Sequence, residues 1–449
     1  MSFRIYVLGM LSAYLERLGR GVFCGLCVCC SCTYKDSKFP HDHRSIGTFK
    51  GRTGPELDKE ITWRRIGDIC AAAAPQPKKG GASGSKPKPT ARLFADDIEP
   101  SDICQGQLGD CWLMSALACL ACQQGAIQQV FDTREYTQYG RYKMRLYDGA
   151  RKKWRTVTID DWIPCGADGQ PMFAKPKGDE AWVVLLEKAC AKFMGGNYAS
   201  LDGNLMIKAL EMLTGDFVCM FRLGDTRDAK SRGKPRTEQR WTRLELSRGP
   251  PPKDAAPGDD LRLVYARDEP FDSELMFRSI SWELRHGSTI GASNAGGKDT
   301  ENIHGIVQGH AYALMKADEA DGKKFLQLRN PWGTFEWSGP WSDKSPLWDQ
   351  HPKVKAALDF KPADDGTFWM EYTDFINHFN TLEFCCRSTG FEHVVINIHE
   401  EHPCCGPCWG CMEGCARYWM CCLGCKALCC GRHVTQFKRP PAGCCSCIA

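Results

Sequence analysis

Gln105-Gly106-Gln107-Leu108-Gly109-Asp110-Cys111-Trp112 runs directly into Leu113-Met-Ser-Ala-Leu-Ala-Cys-Leu-Ala121. A glycine-punctuated turn thus gives way to a run with no proline, glycine or charge, the pattern of a buried helix. Cys111 stands at the start of that helix. There the unpaired N–H groups and the macrodipole favour negative charge, which predicts a lowered thiol pKa and a nucleophilic thiolate. Gln105 lies six residues upstream on the loop that must fold back, and its amide is an oxyanion donor of the kind acyl transfer requires. Taken alone, the stretch also fits an ordinary buried helix cysteine like Cys119.

Two further landmarks decide between these readings. His310 follows a glycine and enters the strand-like run Ala311 to Met315, and Asn330 lies in Leu328-Arg-Asn-Pro-Trp332-Gly. A thiolate needs an imidazole as proton partner, and the imidazole needs a third group to fix its tautomer. The order Gln105, Cys111, His310, Asn330, with Trp332 placed to cover the His–Asn hydrogen bond, is that of a papain-like cysteine protease site.

Working outward, 449 residues suffice for two or three domains, and 43% hydrophobic with 25% charged residues is a globular composition. A net charge of +4 gives no argument for nucleic acid. The 28 cysteines are uneven: five lie in 24–32, thirteen in 404–447 and ten between. That distribution reads as a reduced enzyme with two cysteine-dense ends, and not as a disulfide framework.

The order of segments follows. Residues 1–32 pair a helical apolar spacing with Cys24, Cys27, Cys29, Cys30 and Cys32, candidates for S-acylation at a membrane surface; a secretory signal is the competing reading. Residues 33–70 begin the core, and 71–90 form an Ala, Pro, Lys and Gly linker expected to be disordered. Residues 91–214 form one lobe, with a helix near 181–193 and strands near 142–147 and 155–159. Residues 215–395 form a second lobe, in which 224–260 reads as a surface insertion. A helix is expected near 271–284, with strands near 289–293, 311–315 and 325–328. In the tail, 396–449, Cys404, Cys405, Cys421, Cys422, Cys429 and Cys430 form adjacent pairs that suit S-acylation. Zinc, with His399 and His402 nearby, is the less favoured alternative, and an iron–sulfur run weaker still.

The spaced motifs Ser101 to Trp112, Asp160-Asp-Trp-Ile-Pro164, Glu180 to Cys190, Gly195 to Tyr198, Gly309-His-Ala-Tyr312, Arg329 to Gly333, Glu336 to Asp343 and Asp365 to Trp369 occur in one order. On them, the chain resembles the calpain cysteine proteases over about residues 33–395. The resemblance implies an α+β, papain-like core of two lobes: a helical lobe with Cys111 and Gln105, and a β-rich lobe with His310 and Asn330, the cleft between them. It also implies two calcium sites. Asp102 and Glu187, with backbone oxygens near Ala95 and Asp97, match the first; Glu336, Asp343 and Asp365, with a backbone oxygen of Ala363, match the second. Thr367 stands where an acid is common in the family, which should weaken the second site. No EF-hand loop is present, so no EF-hand small subunit is expected. The expected function is a calcium-dependent endopeptidase making limited cuts in intracellular proteins, cytoplasmic and membrane-associated. A catalytically silent calpain-like scaffold is the alternative.

Overall fold

The computed structural model describes residues 33–73, 91–95, 97–225, 228, 230, 233–248, 261–294, 296–298 and 300–386. The unit that begins at Lys35 holds every element below. In chain order the principal elements are β1 (Thr62–Arg65), α1 (Ile66–Ala73), α2 (Cys111–Ala121), β2 (Arg141–Asp148), β3 (Lys153–Asp160), β4 (Trp162–Cys165), α3 (Trp182–Met194), α4 (Met206–Thr214) and β5 (Phe217–Leu223). Then follow β6 (Trp241–Arg248), β7 (Leu261–Tyr265), α5 (Ser273–Arg285), β8 (Thr289–Ser293), β9 (Ala311–Ala320), β10 (Lys323–Arg329), β11 (Thr367–Glu371), α6 (Tyr372–His378) and β12 (Thr381–Cys386). The fold is α+β, as expected.

Apolar periodicity explains the helices. In α2 every residue from Trp112 to Ala121 is buried, the all-round pattern of a helix inside a core. In α3 the same holds from Trp182 to Ala191. These two helices, α4 and the hairpin β2–β3 enclose one core around Trp112, Tyr142, Trp182 and Tyr198.

The other lobe is built on an eight-stranded antiparallel sheet in the order β11-β10-β9-β8-β12-β5-β6-β7. One face, through Val218, Met220, Leu244, Ala313 and Cys385, joins the core of the helical lobe. The other face carries Phe221, Ile290, Tyr312, Leu326 and Phe384 and is covered by α5 and α6. The sheet therefore packs helices on both faces, and α2 lies directly against β8 and β9.

Two segment boundaries need correction. The expected insertion 224–260 contains β6, which pairs with β5 from Leu223↔Trp241 to Cys219↔Glu245. Trp241 is fully buried, so the Arg, Lys and Pro around it masked a core strand. The expected linker at 71–90 starts later, because α1 continues to Ala73. The cysteine-rich ends, with every acylation and zinc candidate named above, lie outside the described residues.

Candidate active site

The sheet register brings the base and its orienting group together. Ala313 pairs with Arg329 across β9 and β10. Continuing that register, Asn330 stands opposite Tyr312, and His310, two residues back on the same face, is its diagonal neighbour. The contact is made: His310 Nε2 and Asn330 Oδ1 are 3.0 Å apart, both residues buried.

The neighbours fix the direction of this bond. Asn330 Nδ2 donates to the carbonyls of Thr334 (2.7 Å) and Phe335 (3.2 Å), which only accept. Its Oδ1 accepts from Trp332 N–H at 3.1 Å. An acceptor-only Oδ1 requires His310 Nε2 to carry the proton, so Nδ1 is the basic nitrogen of the neutral ring. Trp332 lies over the imidazole, ring centroids 4.5 Å apart, and shields the bond from water. Sequence reasoning missed Asn294, also buried. Its Oδ1 accepts from His310 N–H (3.2 Å) and its Nδ2 donates to Val307 O (3.0 Å), anchoring the turn into β9.

Cys111 is the first residue of α2, as expected, and is half-buried. Its thiol lies beside the backbone of Ala311, the residue after His310. Deeper along α2, Ser115 Oγ donates to Ala311 O at 2.8 Å and Cys119 Sγ to Ile290 O at 3.1 Å. The nucleophile's helix is thereby tied to the base's strand.

The expected low thiol pKa is not found in this conformation. Burial pushes Cys111 up to about 11, with the Asp110 carboxyl adding to the rise against the Ala311 backbone contact. The helix terminus cannot offset desolvation of the thiolate. Asp110 does not cap α2 through its side chain. It is buried with Glu187, and burial raises the Asp110 carboxyl to about 7 and Glu187 well above its usual range, with Asp110 as the second cause for Glu187. Burial therefore disfavours the ionised form of both carboxyls, and the Asp110 charge disfavours that of Glu187 further. Gln105 Nε2 donates to Leu108 O at 2.8 Å. Its loop is bonded to the residues on either side of Asn330, through Gln105 N–H to Pro331 O, 3.4 Å, and Arg329 Nη2 to Ile103 O, 3.3 Å.

A cysteine at a helix start, backed by a buried His–Asn pair on a neighbouring strand, is a cysteine-peptidase arrangement. Comparison with known families agrees: a model described as calpain family cysteine protease matches residues 34–386. The chain belongs to the calpain family. Among curated relatives of this calpain, the calpain-type cysteine protease DEK1 of Zea mays is 35% identical over 357 residues, covering 78% of this chain and 14% of that protein. The calpain-2 catalytic subunit of Rattus norvegicus is 30% identical over 374 residues, covering 80% of this chain and 43% of that protein. The match therefore spans less than half the length of either relative.

The acidic candidates of this calpain separate into two groups. In the helical lobe, Asp102 is buried; its Oδ2 accepts from Glu99 N–H at 2.8 Å, and Lys177 Nζ sits 3.0 Å from its Oδ1. Its acidic neighbour is Glu180, raised to about 7 by burial and, among its neighbours, by the Asp102 charge, and accepting from Ala95 N–H at 2.9 Å. Glu187, the expected partner, is instead turned into the core beside Asp110, its Oε1 on Ala174 N–H at 2.9 Å. Glu180 precedes α3, whereas Glu187 lies within its fully buried stretch. Ala95 O accepts from Arg92 Nη1 at 3.1 Å, so basic side chains already satisfy two expected oxygens of this site.

In the β-rich lobe, Glu336 Oε1 accepts from Gly366 N–H (2.8 Å) and Asp365 N–H (3.1 Å), and Asp343 Oδ2 from Ala363 N–H (2.9 Å). Burial raises both carboxyls, and so do Asp364 and, for Asp343, Asp365. Asp364, which the sequence did not single out, adds a carboxylate whose charge reaches both Glu336 and Asp343. A cluster of carboxylates short of cations is what a hard divalent ion neutralises, so the residues present fit calcium in charge. In this conformation no three acidic, imidazole or thiol groups among the described residues close on a single point.

Proposed function

We propose that this chain is a calcium-dependent cysteine endopeptidase that makes limited cuts in intracellular proteins. The observation that carries the reading is the buried His310–Asn330 bond beneath Trp332, on the strand against which Cys111 packs. Cys111 Sγ attacks the scissile carbonyl as His310 Nδ1 takes its proton. The tetrahedral oxyanion lies towards the Cys111 N–H and Gln105. His310 then protonates the leaving amine, and water releases the acyl group by the same path in reverse. Asn330 holds the ring with Nε2 protonated throughout.

The resting conformation supports a switch. The thiol is held neutral, and a Gln105 amide proton is committed to Leu108 O. Both change if the lobes shift so that Sγ meets the imidazole. Calcium bound at Glu336, Asp343 and Asp365, with Asp364 beside them, would neutralise their repulsion and draw that loop together. Gly366 O accepts from Asn330 N–H at 2.8 Å, so the same loop is bonded to the orienting asparagine. Asp102 with Glu180 is the second candidate pair, reached by displacing Lys177.

The test is peptidase activity of the purified chain across a calcium titration. Activity is expected to appear with calcium, vanish in chelator and be absent from Cys111→Ser at every concentration. Equal activity in chelator and calcium removes the calcium claim; activity in Cys111→Ser removes the nucleophile. Membrane attachment through the cysteine-rich ends is part of the same proposal. It predicts vesicle or membrane association that hydroxylamine releases, and association unchanged by hydroxylamine would contradict it.

A further inference from the structure

Phe335 is the most exposed large apolar side chain among the described residues, at 54% of its surface. It also has φ +59°, a left-handed backbone that a bulky side chain adopts only under strain. A scattered surface apolar residue needs no explanation; one held in a strained conformation beside a catalytic group does. The strain has a visible return. With the 334–335 turn in this conformation, the carbonyls of Thr334 and Phe335 both accept from Asn330 Nδ2. The hydrogen bonds that orient the catalytic asparagine therefore also fix where the Phe335 ring emerges.

That place is next to Trp332, ring centroids 6.0 Å apart and nearly perpendicular. Since Trp332 lies over His310, the three rings form a run leading from the imidazole to solvent. His310 delivers its proton to the departing amine, so the part of the substrate lying over this run is the part after the scissile bond. We propose that Phe335, with Trp332, forms the binding site for an apolar side chain on the leaving-group side of the cut, and that Phe335 sets that preference. The inference rests on the peptidase reading above and names the substrate class at its site: extended peptides with Leu, Met or an aromatic residue shortly after the scissile bond. A ring already half out of water loses little by exposure and gains apolar contact only when such a side chain covers it.

The experiment compares two internally quenched peptides, identical before the bond and carrying either Leu or Ser at the first two positions after it. It uses the full chain with calcium. Phe335→Asn removes the ring while suiting the positive φ, so it keeps the carbonyl that Asn330 needs; Phe335→Leu keeps an apolar side chain. For the unaltered chain kcat/KM should favour the Leu peptide, and in Phe335→Asn that ratio should fall about tenfold, in line with losing one apolar contact. In Phe335→Leu it should stay within about threefold of the parent. An unchanged ratio in Phe335→Asn overturns the proposal, as does an equal fall for both peptides, which would mean that the residue acts through Asn330. An unaltered chain inert to both peptides overturns the peptidase reading itself, and the proposal with it; any active parent isolates the ratio as the test of Phe335.

Discussion

Asn330 makes four side-chain hydrogen bonds, one each to His310 and the Trp332 N–H and two to loop carbonyls. That saturation is what gives His310 a single tautomer, and it sets an expectation for mutation. Asn330→Ala should lower kcat by about 10²-fold or more, with KM changed far less, because orientation is lost while binding is not; steady-state kinetics with a fluorogenic peptide would show it. At the same scale, the Asp110–Glu187 pair makes stability depend on pH. Both carboxyls titrate above their unfolded values, so the native state holds protons the unfolded chain has released. Their contribution is complete below about pH 4; the Asp110 part is lost as pH rises through about 7, and the Glu187 part as pH rises through its own raised value. Glu187→Gln should flatten the fall in melting temperature between pH 5 and 8. Glu180, Glu283 and Glu383 are raised to about 7 as well and remain in the variant, so the difference between the two profiles isolates the pair. Identical slopes by calorimetry would show that Glu187 carries no such proton. That Cys111, His310, Asn330 and Trp332 are the candidates for the chemistry was legible in the sequence because their motifs are short and local. The choice between Glu180 and Glu187 was not, because the burial of Glu187 within α3 is decided by packing. Nor was the raised Cys111 thiol, since burial is a tertiary property that the helix terminus alone does not reveal.

Elements hold the site by close approach. A Cβ on Gly106 would lie 1.9 Å from Phe173 O and 2.7 Å from Met172 O, both backbone, so neither can swing away as a side-chain end would. Gly106→Ala should therefore push the Gln105 loop outward. Since a displacement of about 1 Å can cost roughly 10²-fold, kcat/KM should fall by that order while the far-UV spectrum is kept; near-parental activity would show that the loop is not held where described. The tie between α2 and β9 through Ser115 and Ala311 belongs to this scale too. Helix and strand positions from 141 to 160, 181 to 194 and 289 to 329 followed from periodicity. Strand β6 did not, because Trp241, Leu244 and Leu246 sit in a segment whose overall composition is Arg, Pro and Gly, and the alternation is visible only over eight residues. It lies between β5 and the edge strand β7, one place in from the end of the sheet.

Across the whole molecule the sheet serves two cores at once, so the lobes cannot be separated without exposing Val218, Met220 and Leu244. Control by small shifts of lobe register, and not by wide opening, fits that shared packing. It predicts that Glu336→Gln raises the calcium concentration at half-maximal activity several-fold with little change in the maximal rate, because one carboxylate is lost from the cluster and none from the catalytic group. A titration in which the midpoint stays and only the maximum drops would place Glu336 in structure instead. No helix among the described residues is long and apolar enough to cross a membrane. The lobes and their order were legible from the spacing of the motifs, whereas the resting state of the site was not, because it is set by contacts between residues about two hundred positions apart. The most direct measurement of the central claim is the site of covalent capture by a peptidyl chloromethyl ketone, read by mass spectrometry in the presence of calcium. One fast adduct is expected on Cys111, lost in His310→Ala and absent from the other nine cysteines of the described core. Labelling spread over exposed thiols such as Cys122, or unchanged in His310→Ala, would contradict it.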